Sequence, residues 1–248
     1  MIDLNQIIHK CTEENTFKSW KTMIDALKLF ANLEKRKLEI EEDIDQKEIA
    51  TKLVDYWKQI IHKQFEAIEK AKHQGGKPDE ERVIYSGYCE ELARIYADFE
   101  TDYPSAREQF QEAYKYNANK LNILLDIAEI DYLNNDFEEC KVNINKVLRS
   151  EPQNPRALTL LADCMIINDQ VKQAIEGFKK VYSRDTTNFT TLALIIRLKR
   201  LNGELDEVKK MLEKVMEKMG GTEEPGLNYC RGLYYFYRKN PGAALQQF

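Results

Sequence analysis

The chain has 248 residues, of which 32% are charged, and a formal net charge of −5. That acidic balance argues against a nucleic-acid binder, which needs a basic patch to engage phosphates. Length alone allows one or two globular domains, and no apolar run approaches the about 18 residues that cross a bilayer.

From the N-terminus, Leu4 to Cys11 reads as a short helix, followed by a turn around Thr12–Thr16. A long helix then runs from about Phe17 into the forties, with Trp20, Met23, Leu27, Phe30 and Leu33 on one side and an acidic far end, Glu39 to Asp45. A second long helix spans about Gln46 to His73, with Ile49, Leu53, Trp57, Ile60, Ile61 and Ile68 as its apolar stripe. Both sets recur at threes and fours, the spacing of one helical face. At 1.5 Å per residue the second would reach about 40 Å. It either pairs with the first as a projecting hairpin or lies along the helices that follow. Gln74 to Asp79, with Gly75-Gly76 and Pro78, is the clearest loop.

From Glu80 the pattern becomes periodic. Ala106, Cys140, Ala174 and Val208 are each 34 residues apart, and Ala244 follows after 36. Phe110, Ile144, Phe178, Leu212 and Phe248 keep the same steps, and Ala113, Val147, Val181 and Val215 extend them. A small residue lets a neighbouring helix approach, and the large one four later plugs the gap. A 34-residue period with this pattern is the tetratricopeptide repeat (TPR), a helix–turn–helix unit that stacks into a solenoid.

The helices pair as about 80–99 with 104–117, 121–133 with 137–149, 155–167 with 171–183, 189–201 with 205–219, and 225–238 with 241–248. Asn154-Pro155 is a helix start, with Asn capping and Pro pre-set at the first helical position. The turn Asn168-Asp169-Gln170 is polar, Gly203 and Asn240-Pro241 mark later turns, and the first pair carries one extra residue in its turn, Glu100–Tyr103. The linker Gly220–Glu224 accounts for the 36-residue step. The expected fold is all-α, a TPR-type right-handed α-solenoid with two longer helices in its N-terminal third. The expected organisation is a helical region over 1–79, then TPR units at 80–120, 121–154, 155–188, 189–222 and a truncated 225–248. Leu233 to Tyr237, Leu245 and Phe248 leave an apolar end without the polar cap that solenoid ends need. The expectation there is a fragment, a truncated product, or a surface covered by a partner.

No catalytic constellation is present: no phosphate-binding glycine loop, no HExxH, no GxSxG. Five cysteines, odd in number and in no CxxC pair, read as small buried thiols. His9 belongs to a different helix from His62 and His73, and those two are eleven residues apart, too far to share a metal. No enzyme, cofactor or metal is expected. A soluble, intracellular chain is expected, because no continuous apolar signal segment stands near the N-terminus.

What remains is recognition. TPR arrays bind through a concave surface lined by the first helix of each pair. The positions facing it are Asn122, Leu125, Glu129 and Tyr132, then Arg156, Thr159 and Asp163, then Thr190, Arg197 and Arg200. Arg197, Lys199 and Arg200 read as a small basic cluster suited to an acidic segment, or as ordinary solubilising charge. The Lys and Asn clamp by which co-chaperone TPR domains hold a C-terminal carboxylate is missing. The site expected here comprises Tyr132, Arg156, Asp163, Arg197 and Arg200 on the concave face, with Tyr235 and Phe248 on the apolar end.

Glu224-Pro225-Gly226-Leu227-Asn228-Tyr229-Cys230-Arg231-Gly232-Leu233-Tyr234 resembles the EPGxxYC[KR]GLY segment of the tetratricopeptide repeat protein 21 family. Thr187 to Leu192 and Arg197-Leu198 through Gly203 to Val208 are similar to the same region of that family, and Ala162-Asp163 with Ala174 also fits. The resemblance covers about Glu80 to Phe248 and extends more weakly to Trp20–Leu38. The family's chains are several times longer, and the Gln46–His73 helix is expanded here. The resemblance implies a non-enzymatic scaffold in the intraflagellar transport A complex. Its implied place is the cytoplasmic side of the cilium or flagellum and the basal body, in retrograde movement and membrane-protein entry. The implied partners are other subunits of that complex, propeller and TPR solenoid proteins, with no nucleic acid and no direct membrane insertion. The alternative is a free-standing cytosolic TPR adaptor that binds short acidic segments.

Overall fold

The computed structural model describes residues 17–40, 46–73, 75, 78–220 and 224–248. The helix expected over Leu4–Cys11, the side chains of Trp20 and of the acidic run Glu39–Asp45, and the middle of the Gly220–Glu224 linker lie outside the described residues. Among those described the chain is all-α, with no strand, and has the TPR α-solenoid fold class that the 34-residue period predicts. It divides into two compact units, Met1–Cys140 and Lys141–Phe248.

The first unit opens with α1 (Phe17–Ile40) and α2 (Gln46–His73), followed by α3 (Asp79–Ile95), α4 (Tyr103–Tyr116) and α5 (Leu121–Leu133). Each packs on the next. Helix α2 therefore has α1 on one side and α3 on the other, and the long pair joins the stack instead of projecting from it. The buried stripe of α2 contains Ile49, Leu53, Trp57, Ile60 and Ile68, as the spacing predicts, while Ile61 is only half-buried. On α1 the buried face is Met23, Ile24, Leu27 and Ala31, and Leu33 points to solvent. The expected stripe drifts there because Leu33, six residues beyond Leu27 and ten beyond Met23, has rotated off the packed face. Ser86, fully buried on α3, donates to the Ala113 carbonyl of α4 at 2.9 Å. The ring of Tyr85 lies between Phe65 and Tyr116, at 5.9 and 4.6 Å.

Helix α6 (Phe137–Ser150) carries the chain into the second unit, which holds α7 (Pro155–Ile167), α8 (Val171–Arg184), α9 (Phe189–Leu201), α10 (Leu205–Met219), α11 (Pro225–Tyr237) and the short α12 (Pro241–Leu245). Helix α9 is apolar on two sides. Leu194, Ile195 and Leu198 join Leu158, Ala162, Ala174 and Phe178 in one core, while Leu192 and Ile196 join Val208, Leu212, Leu227 and Cys230 in another. A helix buried on two faces carries no clean polar stripe. The small-residue positions Ala106, Cys140, Ala174, Val208 and Ala244 are all buried, as are Phe110, Ile144, Phe178 and Leu212 four residues on. Phe248 departs from its series, with 64% of its surface exposed. Among the described residues Cys89, Cys140, Cys164 and Cys230 are buried and form no disulfide, and burial pushes the thiols of Cys89 and Cys230 up to about 12.

Local chemistry fixes the turns. The side chains of Asp102, Asn154, Asn188 and Asn240 each accept a backbone N–H three residues on, at 3.2, 3.0, 2.9 and 3.1 Å, the N-cap bond that a helix start leaves open. The helices α5, α7, α9 and α11 end alike. Asn135, Asp169, Gly203 and Lys239 take left-handed backbone, and the next residue donates to the carbonyl five back at 2.7, 2.8, 2.8 and 3.0 Å, a Schellman ending. The left-handed residue of the first pair is Thr101. Its extra residue is wound into a π-turn at Tyr96–Glu100, with the Asp102 amide on the Tyr96 carbonyl at 2.9 Å. The insertion expected in the connecting turn is thus absorbed by the helix.

Candidate functional site

In the second unit, α7, α9 and α11 are the first helices of three successive pairs. Equivalent positions on them line up as Arg156, Thr190 and Gly226; as Thr159, Ala193 and Tyr229; and as Asp163, Arg197 and Leu233. Thr159, Thr190, Ala193, Arg197, Gly226, Tyr229 and Leu233 from these rows line a half-open groove of about 350 Å³, closed by Phe189 and Tyr237. Small side chains at Thr190, Ala193 and Gly226 make the space, and aromatic rings make its walls.

The EPG segment builds one wall. Pro225 opens α11 at its first helical position, where the missing N–H is not needed. Gly226 follows because a Cβ there would lie 2.5 Å from the Phe189 ring. That close approach seats α11 against α9. Buried Cys230 completes it, its thiol donating to the Phe189 carbonyl at 3.4 Å. Tyr229, between these two anchors, is left exposed on the groove.

The charges sort by helical rotation. Arg197 Nη1 meets Asp163 Oδ1 at 2.8 Å, linking α9 to α7 in the groove. Arg200 lies over the Tyr237 ring at 4.9 Å from its centroid, a cation–π contact. Lys199 is about 200° round the helix from Arg197 and has 0% of its side chain exposed. Its Nζ donates to Glu204 at 2.7 Å and Glu207 at 2.5 Å. Burial alone would lower the Lys199 pKa, but the hydrogen bonds to Glu204 and Glu207 outweigh it and the net shift is upward. The hydrogen bond from Lys199 lowers Glu204 in turn. The expected cluster of Arg197, Lys199 and Arg200 is therefore not one surface: Arg197 pairs with Asp163 in the groove, Arg200 lies over Tyr237, and the lysine is a core residue.

The remaining expected residues are spread. Arg156 is half-buried at the start of α7. Tyr235 packs on Tyr234, with ring centroids 5.4 Å apart, at the margin of the α9–α11 core. The Phe248 ring covers Gly232, where a Cβ would lie 2.5 Å away, and meets Tyr229 at 5.9 Å. Tyr132 belongs to the first unit, where its ring stands edge-on to Phe137 at 5.8 Å. Leu125, expected on the open face, is fully buried. The sequence does not single out Phe189 and Tyr229 as part of the aromatic wall, although a 36-residue step from Ala193 reaches Tyr229 directly. Among the described residues, no three His, Cys, Asp or Glu side chains could hold a metal ion, and no helix is long and apolar enough to cross a membrane.

Residues 155–248, the stretch that forms the groove, match the fifth ARM repeats domain of TT21. The chain resembles the tetratricopeptide repeat protein 21 family. Residues 100–164 match a tetratricopeptide repeat model. Among curated relatives, tetratricopeptide repeat protein 21B of Xenopus laevis is 28% identical over 164 residues, 66% of this chain and 12% of that protein. Tetratricopeptide repeat protein 21A of Mus musculus is 28% identical over 148 residues, 59% of this chain and 11% of that protein. The chain thus spans about one eighth of the length of these relatives. A solved tetratricopeptide repeat protein from Parabacteroides merdae aligns over 98% of this chain and 90% of its own, with 12% identity and a TM-score of 0.46. The repeats and the family relatives support a protein-interaction role for the chain.

Proposed function

We propose that this chain is a scaffold segment of the intraflagellar transport A complex, acting in retrograde ciliary transport and ciliary membrane-protein trafficking. Its place is the cytoplasmic side of the cilium and basal body, and its partners are propeller and TPR solenoid subunits. The observation that carries this reading is the coincidence of the family match over 155–248 with the groove that the EPG segment builds. The chain does no chemistry in this reading. It presents apolar and aromatic walls, with Arg197 in the groove and Arg200 over Tyr237, to a segment of a neighbouring subunit. Arg156 and Asp163 sit on the same helix faces. Tyr235 and Phe248, and Tyr132 in the first unit, are assigned to further subunit contacts.

Affinity purification of the tagged chain from ciliated cells, with mass spectrometry of what accompanies it, tests the reading. Near-stoichiometric recovery of other intraflagellar transport A subunits is expected. Recovery of the chain alone, or with unrelated soluble proteins, would leave the free-standing TPR adaptor.

A further inference from the structure

A second surface lies on the other helices of the same unit. Helix α10 carries Lys210, Lys214 and Lys218, four residues apart and all exposed. That spacing makes one stripe about 12 Å long. Lys214 and Lys218 form the rim of a notch of about 290 Å³ between α10 and the end of α8. Its floor is apolar: Tyr182 from α8, with Met211, Val215 and Met219 from α10. Thr186 and Thr187, in the connection after α8, close one side, and Lys218 Nζ donates to Thr186 Oγ1 at 2.7 Å.

The two charged side chains that line the notch are both basic. Asp185, next to the notch, turns its carboxylate to the Thr187 hydroxyl at 2.6 Å and amide at 2.9 Å, and these bonds, with a smaller contribution from the charge of Lys218, lower its pKa. Glu213 pairs with Lys209 at 3.8 Å. Glu213 and Glu217 both lie on the side of α10 away from Met211 and Val215 by helical rotation. Among the described residues Lys210 and Lys214 make no ion pair.

We propose that this notch docks a partner protein segment that inserts one large apolar side chain between Tyr182, Met211 and Val215 and sets carboxylates on Lys214 and Lys218. Charge complementarity selects an acidic segment. The volume lies just below the about 300–1,000 Å³ of typical small-molecule sites and suits a single side chain. Two methionines in the walls adapt to its shape. A membrane surface fits less well, because lipid takes up apolar groups that project, and here they line a recess. The site is built from α8 and α10, separate from the groove of α7, α9 and α11, and it does not rest on the ciliary reading.

A peptide display library selected on the purified chain tests the proposal. Enrichment of peptides with Leu, Met or Phe flanked by Asp or Glu is expected. The strongest such peptide, synthesised with a fluorescent label, should lose at least about tenfold in affinity on Lys214→Glu/Lys218→Glu, since two rim attractions become repulsions. Thr187→Phe, an exposed site at the notch edge, should weaken it similarly. Both variants should melt like the parent, and Arg200→Glu, over the groove wall at Tyr237, should bind normally. Four results would overturn the proposal: enrichment of basic or featureless peptides; equal affinity in all variants; loss confined to Arg200→Glu, which would move binding to the groove; or, without peptide enrichment, phosphatidylserine vesicles that retain the parent and release the charge-reversed chain, which would make the rim a lipid contact.

Discussion

One repeat position is occupied in opposite ways in the two units. Asp131 and Lys199 are two periods apart, and neither side chain has any exposed surface. In the first unit Asp131 takes its counter-charge from Arg107 Nε at 2.5 Å, 24 residues earlier and on the preceding pair's second helix. In the second unit Lys199 takes its own from Glu204 and Glu207, five and eight residues later, across the turn of its own pair. The slot does not demand a particular charge. It demands that whatever enters be matched locally. The first arrangement ties successive pairs together, and the second ties one pair to itself.

Removing the match in the second unit should have the largest effect. Glu204→Ala/Glu207→Ala leaves a buried ammonium without a partner and should cost about 3–5 kcal/mol in urea unfolding. Lys199→Met removes the charge with its partners left in water, and should lie within about 1 kcal/mol of the parent. If both variants lost the same stability, the ion pair would not be what holds the slot. Asp131→Ala should cost less, about 2 kcal/mol, because Arg107 is 29% exposed and keeps Glu139 at 3.8 Å. Gly226→Ala, which drives a methyl into the Phe189 ring, should cost about 2 kcal/mol by the same assay.

The pair in the second unit also carries a pH dependence. Glu204 is lowered from its ordinary 4.5 by Lys199, so its contribution is present above that pH and is lost as pH falls through the folded value. Lys199 is raised from 10.5, so its contribution is present below that pH and is lost as pH rises through the folded value. Thermal melts between pH 5 and 3 should therefore fall less steeply for Glu204→Gln than for the parent. The smallest effect is expected at Thr191, whose buried hydroxyl has no hydrogen-bond partner among the described residues. Thr191→Val keeps the shape and should gain about 1 kcal/mol.

The repeat register was legible because it rests on burial alone. Ala106, Cys140, Ala174 and Val208 share a period, and all four are inside. The Asn154 cap and the Asn168–Gln170 turn were legible because their chemistry is local. Lys199 was not, because adjacency in sequence grouped it with arginines that the helix turns to another face. The groove wall was half legible. Leu233 to Tyr237 stood out as an apolar run, but only the packing of Gly226 on Phe189 shows that Tyr229 and Tyr237 face Ala193 across a groove. The π-turn at Tyr96–Glu100 was hidden, because an extra residue has the same spacing in a helix as in a loop.

The most direct measurement repeats the affinity purification from ciliated cells with Ala193→Trp, which fills the groove from a half-buried position on α9. The expected result is loss of the intraflagellar transport A subunits from a chain that expresses and melts like the parent. Full recovery of those subunits with the groove filled would contradict the assignment of α7, α9 and α11 as the partner-binding surface.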